Sequence, residues 1–198
     1  GLCGAYNSSV LREALKFFDW NTDKEIELMV FGLKGVRFFN RRKIPISQHY
    51  TFWEPTFEIA RKLGTFFKER YTDKQLDEVN FLYNYPRSTM VQKETLLKLL
   101  PFSAPGKKEK SIPTLFEPEP GITLKYLLPR YLEVIIYQLL LEAKSAELGA
   151  RLKAMTNATD NAQELLNELR LRFFRARQEA ITSEILEIVG SAEALRRG

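Results

Sequence analysis

The sequence predicts an α/β fold, a small doubly wound (Rossmann-like) sheet domain followed by one very long C-terminal helix. Three observations carry this reading. Eight of the nine prolines lie within residues 1–120, where short apolar runs alternate with amphipathic stretches, the pattern of strands wound with helices. Beyond residue 120 the single proline is Pro129, and Ala, Leu, Glu and Arg dominate, which is helical composition. Two apolar rows there repeat every seven residues: Leu148, Met155, Ala162, Leu169, Ala176, and Leu152, Thr159, Leu166, Phe173, Ala180. Lying four and three residues apart, they form a coiled-coil seam. The expected domains are residues 1–120, globular, and 121–198, helical.

Within the first region, Ser8 or Ser9 is suited to cap a helix over Val10–Trp20, with Val10, Ala14, Phe17 and Phe18 on its apolar face. Ile26–Phe31 is a short apolar run closed by Gly32, which reads as a buried strand. Lys34–Asn40 reads as a short helix. Pro55 suits the first position of a helix reaching Arg70, with Phe57, Ile59, Leu63, Phe66 and Phe67 turned inward. Val79–Tyr85 reads as a strand ended by Pro86, and Gln92–Leu100 as a final strand or a short helix. Residues 103–120 carry Pro105, Gly106, Pro113, Pro118 and Pro120, the mark of a loop or linker.

The second region has no convincing stop from about Leu128 to Leu195; Gly149 lowers helix propensity without ending the helix. Pro129 means that the helix starts near Leu128 or is kinked there. At 1.5 Å per residue the segment measures on the order of 100 Å, against very roughly 40 Å for a globule of this size, so the helix is expected to seek a foreign partner. Leu127, Leu128, Tyr131, Leu132, Val134, Ile135, Ile136, Leu139, Leu140 and Leu141 are apolar nearly all round and are expected to be buried on the α/β domain. Farther on, Arg170, Arg172, Arg175 and Arg177 form a basic collar, followed by the apolar Ile181, Ile185, Leu186, Ile188 and Val189. That order suits a helix end that meets an acidic rim and then enters an apolar socket.

Composition narrows the function. With 198 residues, 44% hydrophobic and 28% charged, the chain is ordinary globular material. One cysteine, Cys3, allows no internal disulfide and favours a reducing compartment. One histidine, His49, leaves too few ligands for a His/Cys zinc site. No metal or cofactor is expected. The charge of +5 is small; the knots Arg41-Arg42-Lys43 and Lys107, Lys108, Lys110 are not interleaved with aromatics and read as solvated loop charge rather than nucleic-acid contacts. No run of 18 apolar residues spans a membrane. Gly1-x-x-Gly4 fits a tight turn better than a phosphate loop, and Cys3 with His49 lacks the third member of a nucleophilic triad. The opening Gly1-Leu2-Cys3-Gly4 resembles no signal peptide and, without an initiator methionine, reads as the start of a fragment.

Three segments, the opening Gly1-Leu2-Cys3-Gly4-Ala5-Tyr6-Asn7, the stretch from Glu147 to Ala162 (ELGARLKAMTNATDNA) and the stretch from Arg175 to Leu195 (RARQEAITSEILEIVGSAEAL), stand out. In that order and spacing they resemble the γ subunit of F-type ATP synthases. The resemblance spans the chain, with residues 20–120 matching in pattern only. It implies a non-catalytic central-stalk rotor whose two terminal helices form an antiparallel coiled coil inside a ring of α and β subunits, with the α/β domain near the ε subunit and the membrane c-ring. It also implies that the N-terminal helix and first strand of the family are lacking here, and it places the chain on the cytoplasmic side of a bacterial inner membrane, peripherally. By position it assigns contact with a catalytic subunit to Arg177, Gln178 and Thr182, an apolar bearing tip to Ile185, Leu186, Ile188 and Val189, and the coiled-coil seam to Leu148, Leu152, Met155, Leu166, Leu169 and Phe173. Leu152 stands where the family usually has methionine. The alternative is a scaffold that dimerises through its long helix.

Overall fold

The computed structural model describes residues 2–51, 54–102 and 119–197. The elements run α1 (Tyr6–Trp20), β1 (Met29–Phe31), α2 (Leu33–Arg41), β2 (Gln48–Tyr50), α3 (Phe57–Thr72), β3 (Val79–Ser88), β4 (Val91–Leu100) and α4 (Pro120–Arg197). An α/β domain with a long C-terminal helix is thus what the chain forms. It divides into two compact units, Gly1–Lys153 and Ala154–Gly198, so the boundary falls inside α4.

Local chemistry sets the ends of these elements, in places differently from expectation. Helix α1 begins at Tyr6, and its N-cap is Ala5, which makes no side-chain cap bond. Ser8 and Ser9 lie inside the helix, donating their hydroxyls to the carbonyls of Ala5 and Tyr6; once the chain turns at Cys3–Tyr6 the serines are carried into the first turn. Helix α3 is capped by Thr56, whose hydroxyl accepts from the Ile59 amide, and Pro55 precedes it. Phe57, expected inward, is 40% exposed and meets the Tyr137 ring edge-on.

Strands β1 and β2 pair in parallel, Val30 opposite His49, with α2 as the crossover between them. Val30, Val36 and Phe39 form a small core with Leu11, Ala14 and Phe18 of α1 against it. Strand β3 does not stop at Pro86: it continues to Ser88 and pairs antiparallel with β4 across the Thr89-Met90 turn. A two-stranded ladder leaves each strand one unpaired edge, where proline removes no needed donor. Gln92–Leu100 is accordingly a strand.

Helix α4 starts at Pro120 rather than near Leu128, one of the two readings that Pro129 left open, with the Glu119 carbonyl accepting from the Ile122 and Thr123 amides. Pro129 is therefore internal. Residues 103–118, with Lys107, Lys108 and Lys110, lie outside the described residues.

The main core joins α3, β3, β4 and the proximal part of α4. Leu63, Leu99, Leu132, Ile136, Leu139 and Leu140 are each at most 3% exposed. Only one face of α4 is so covered. Leu127, Leu128, Tyr131, Val134 and Leu141, expected to be buried, are 39–56% exposed. The reason is geometric: Leu132, Ile136, Leu139 and Ala143 share one side of a helix with 3.6 residues per turn, and Val134, Leu141 and Leu148 fall on the other.

Polar bonds fix α4 on this unit. The Tyr83 hydroxyl donates to the Glu142 carboxylate at 2.6 Å, and the Tyr6 hydroxyl donates to the Ala143 carbonyl at 2.8 Å. Buried Asn84 donates its side-chain N–H to the Tyr6 carbonyl at 2.9 Å, and its Oδ1, 3.4 Å from Ser9 Oγ, shares the single Ser9 hydroxyl proton with the Tyr6 carbonyl. Gly149 completes the fit: a Cβ there would stand 2.2 Å from the Thr89 carbonyl oxygen of the β3–β4 turn.

Two predictions follow from this packing. Gly149→Ala should lower the melting temperature of the unit, because overpacking against backbone costs about 1–3 kcal/mol and outweighs the gain of about 1 kcal/mol in helix propensity. Gly190→Ala, which meets nothing within 4 Å, should instead raise helicity. Second, burial and then the bond to Glu142 push the Tyr83 phenol well above its ordinary value. A raised folded value means that the stabilisation is whole below the ordinary tyrosine range near 10 and lost as pH rises through the folded value. The unit should therefore weaken above about pH 10, and Tyr83→Phe should flatten that decline in thermal melts.

Candidate functional site

Among the described residues no pocket gathers converging acids, bases or nucleophiles. Among the described residues no group of three or more His, Cys, Asp or Glu side chains could hold a metal ion, and no helix is long and apolar enough to cross a membrane. What it offers instead is uncovered helix surface.

In the first unit, the exposed side of α4 borders a shallow trough lined by Leu141, Leu148 and Leu152 on the helix and by Pro55, Pro86 and Thr89 on the α/β part. Leu148 and Leu152 are each 51% exposed. Counted backwards in sevens from Leu148, the same row passes through Leu141, Val134 and Leu127. The seam thus starts well before Leu148, an extension that the heptad count alone could have found.

The second unit is one helical segment, and among its described side chains none is buried. Its seam residues Met155, Leu166, Leu169 and Phe173 are 38–64% exposed. Local pairs hold the helix itself: Arg172 with Glu168, Gln163 with Asn167, and the Thr159 hydroxyl donating to the Met155 carbonyl. Nothing within this unit can cover an apolar row, since a single helix has no core of its own.

Toward the distal end, Gln178 and Thr182 lie one turn apart and line a shallow depression with Arg175, Glu179 and Leu186. The Thr182 hydroxyl donates to the Gln178 carbonyl at 2.8 Å, which leaves its oxygen free to accept. Arg177 does not line that depression; one residue before Gln178, it is turned by about 100° around the helix. Ile185, Leu186, Ile188 and Val189 are 53–66% exposed, and at 3.6 residues per turn they share one broad face of the helix, with Glu184 and Glu187 on the other.

These features describe a helix built to be covered by other chains. A sequence profile of the family described as ATP synthase matches residues 1–195. The chain is 41% identical over 203 residues to the ATP synthase gamma chain of Halothermothrix orenii, an alignment covering 99% of this chain and 70% of that one. The chain belongs to the ATP synthase γ family. A second γ chain, from Moorella thermoacetica, is 40% identical over 201 residues, again covering 99% of this chain and 70% of the relative. The γ fold is also seen in solved structures. A chain of the Euglena gracilis mitochondrial ATP synthase OSCP/F1/c-ring assembly aligns with a TM-score of 0.66 at 18% identity, covering 100% of this chain and 70% of that one. One from the central stalk/c-ring of the Tetrahymena thermophila mitochondrial enzyme gives 0.58 at 22% identity, covering 80% and 71%. The dimerising-scaffold alternative finds no support among these relatives.

The two faces of α4 should respond differently to substitution. Ile136→Ala, at a fully buried position, should cost about 2–5 kcal/mol. Leu148→Ser, on the open seam, should change the stability of the isolated chain by no more than about 0.5 kcal/mol. Denaturant melts of the two variants would measure this; equal losses would refute the division into covered and uncovered faces.

Proposed function

We propose that this chain works as the rotor of an F-type ATP synthase, coupling ion flow across a membrane to ATP synthesis by turning within the ring of nucleotide-binding subunits. As a γ chain it is a central-stalk subunit and makes no ATP by itself; the catalytic sites belong to the β subunits. Residues 1–120 serve as the foot, against the ε subunit and the membrane c-ring, and residues 121–198 as the shaft inside the α and β subunits. The complex is membrane-bound, and the chain works peripherally on the cytoplasmic side of the bacterial inner membrane.

The observation that carries this reading is the uncovered heptad seam through Leu148, Leu152, Met155, Leu166, Leu169 and Phe173. Leaving six large apolar side chains open to water is unfavourable unless a partner removes them from it. In this reading a second helix fills the seam and stiffens the shaft, and the α and β subunits surround the pair.

The distal residues then divide by chemistry. Arg177 offers a planar fork of donors to a carboxylate of a catalytic subunit, while Gln178 and Thr182 both donate and accept. Such bonds are directional and hold the shaft at defined angles. Ile185, Leu186, Ile188 and Val189 form the bearing tip: contacts without directional bonds give no angular preference as the tip turns.

The test is made in the assembled enzyme. Arg177→Ala/Gln178→Ala should reduce ion-driven ATP synthesis by about tenfold, as expected from losing one charge-assisted contact of about 1.5 kcal/mol, while thermal melting of the α/β unit stays unchanged. Normal assembly with normal synthesis in that variant would overturn the contact assignment.

A further inference from the structure

The first unit carries a charge asymmetry that the rotor reading does not use. Between Leu28 and Trp53 there is no Asp or Glu, yet the same 26 residues hold Lys34, Arg37, Arg41, Arg42 and Lys43. Their combined charge equals the net +5 of the whole chain. All five are exposed. Lys34, Arg37 and Arg41 follow one another at three- and four-residue steps along α2, on one side of the helix and about 10 Å from end to end. Arg42 and Lys43 continue the patch past the C-terminus of α2. Arg42 is held over the Phe38 ring at 4.0 Å, a stacked position that keeps its guanidinium edge facing outward. Among the described residues none of the five patch cations has a carboxylate partner; elsewhere in this unit Lys16, Lys62, Arg70, Lys98 and Arg130 have one, while Arg61, Lys68 and Lys93 do not.

The apolar side of α2 is already spent. Val36 and Phe39 are in the core, and no large hydrophobic side chain is exposed among the described residues from 21 to 56. This decides what chemistry fits. A protein interface normally centres on an apolar, charge-depleted patch, and a single-stranded nucleic acid needs exposed rings for its bases; among the described residues from 21 to 56 neither is present. A surface of phosphodiester headgroups needs only clustered cations, four to eight of them.

We infer that the α2 patch, Lys34, Arg37, Arg41, Arg42 and Lys43, binds the headgroups of anionic phospholipids, a peripheral and purely electrostatic contact that does not depend on the seam or on the distal helix. It has no inserted apolar residue, so it slides rather than anchors. Each cation contributes roughly fivefold to membrane partitioning, and the contact fades with added salt as the screening length falls to about 3 Å at 1 M.

The test is sedimentation of the full 198-residue chain with vesicles of phosphatidylcholine alone and of phosphatidylcholine with phosphatidylglycerol. The chain should bind the anionic vesicles only, and 1 M salt should release it. Arg37→Gln/Arg41→Gln/Arg42→Gln should weaken binding by roughly a hundredfold, whereas Arg61→Gln/Lys68→Gln/Lys93→Gln, which removes the same charge elsewhere on the unit, should weaken it only a few-fold. Circular dichroism melts confirm that both variants are folded, which is expected because all six positions are exposed. Equal losses in the two variants would mean bulk charge and overturn the assignment. So would equal binding to neutral vesicles, or binding of duplex DNA or a polyglutamate peptide by the patch without binding of anionic vesicles. Since no ring of subunits enters the assay, its outcome is separate from that of the rotor reading.

Discussion

Everything in this molecule depends on the burial of a single face of α4. Leu132, Ile136, Leu139, Leu140 and Ala143 complete the main core with Leu63 of α3, Val79 and Tyr83 of β3 and Leu99 of β4. The helix is therefore part of the α/β unit before it is anything else. Because the covered face is narrow, the opposite face is left as a continuous apolar row. The same helix thus stabilises one domain and displays a surface that the domain does not use.

Orientation is fixed by a small set of polar bonds around this core. Tyr83 reaches Glu142, Tyr6 reaches the Ala143 carbonyl, and Asn84 bridges Tyr6 and Ser9. Hydrophobic burial is nondirectional and would tolerate rotation of α4 about its axis. Hydrogen bonds at defined positions do not, and the contact between Gly149 and the Thr89 carbonyl permits only the smallest side chain at that point. Together they set which side of the helix faces outward. For a part that transmits torque, a fixed angle between the helix and the globular unit is the useful property.

The functional chemistry is correspondingly sparse. Among the described residues no cluster of His, Cys, Asp or Glu could hold a metal ion, and the residues proposed to work would do so by being exposed and of the right kind. In the proposed rotor, arginine, glutamine and threonine would offer directional bonds where a defined stop is useful, and isoleucine, leucine and valine none where free rotation is. The five cations of the α2 region, with no acid in the same stretch, add a third kind of surface, long-ranged and non-directional.

Much of this was legible in the sequence. The length of α4, the heptad row from Leu148 to Phe173, the basic collar and the apolar tip are periodic or local features, and helical periodicity makes them readable without coordinates. The motifs from Glu147 to Ala162 and from Arg175 to Leu195 were sufficient to point to the family. What the tertiary structure alone decided is which apolar residues are covered. Leu127, Tyr131, Val134 and Leu141 are as hydrophobic as Leu132, Ile136, Leu139 and Leu140, and only the position of α3 and the β3–β4 hairpin separates the two groups. The same holds for β3 running through Pro86, since proline is excluded only where the ladder needs its missing donor, and for Gly149, whose neighbour Thr89 lies sixty residues away in the chain. Periodicity along a chain is a property of the chain; the choice of face is a property of what packs against it.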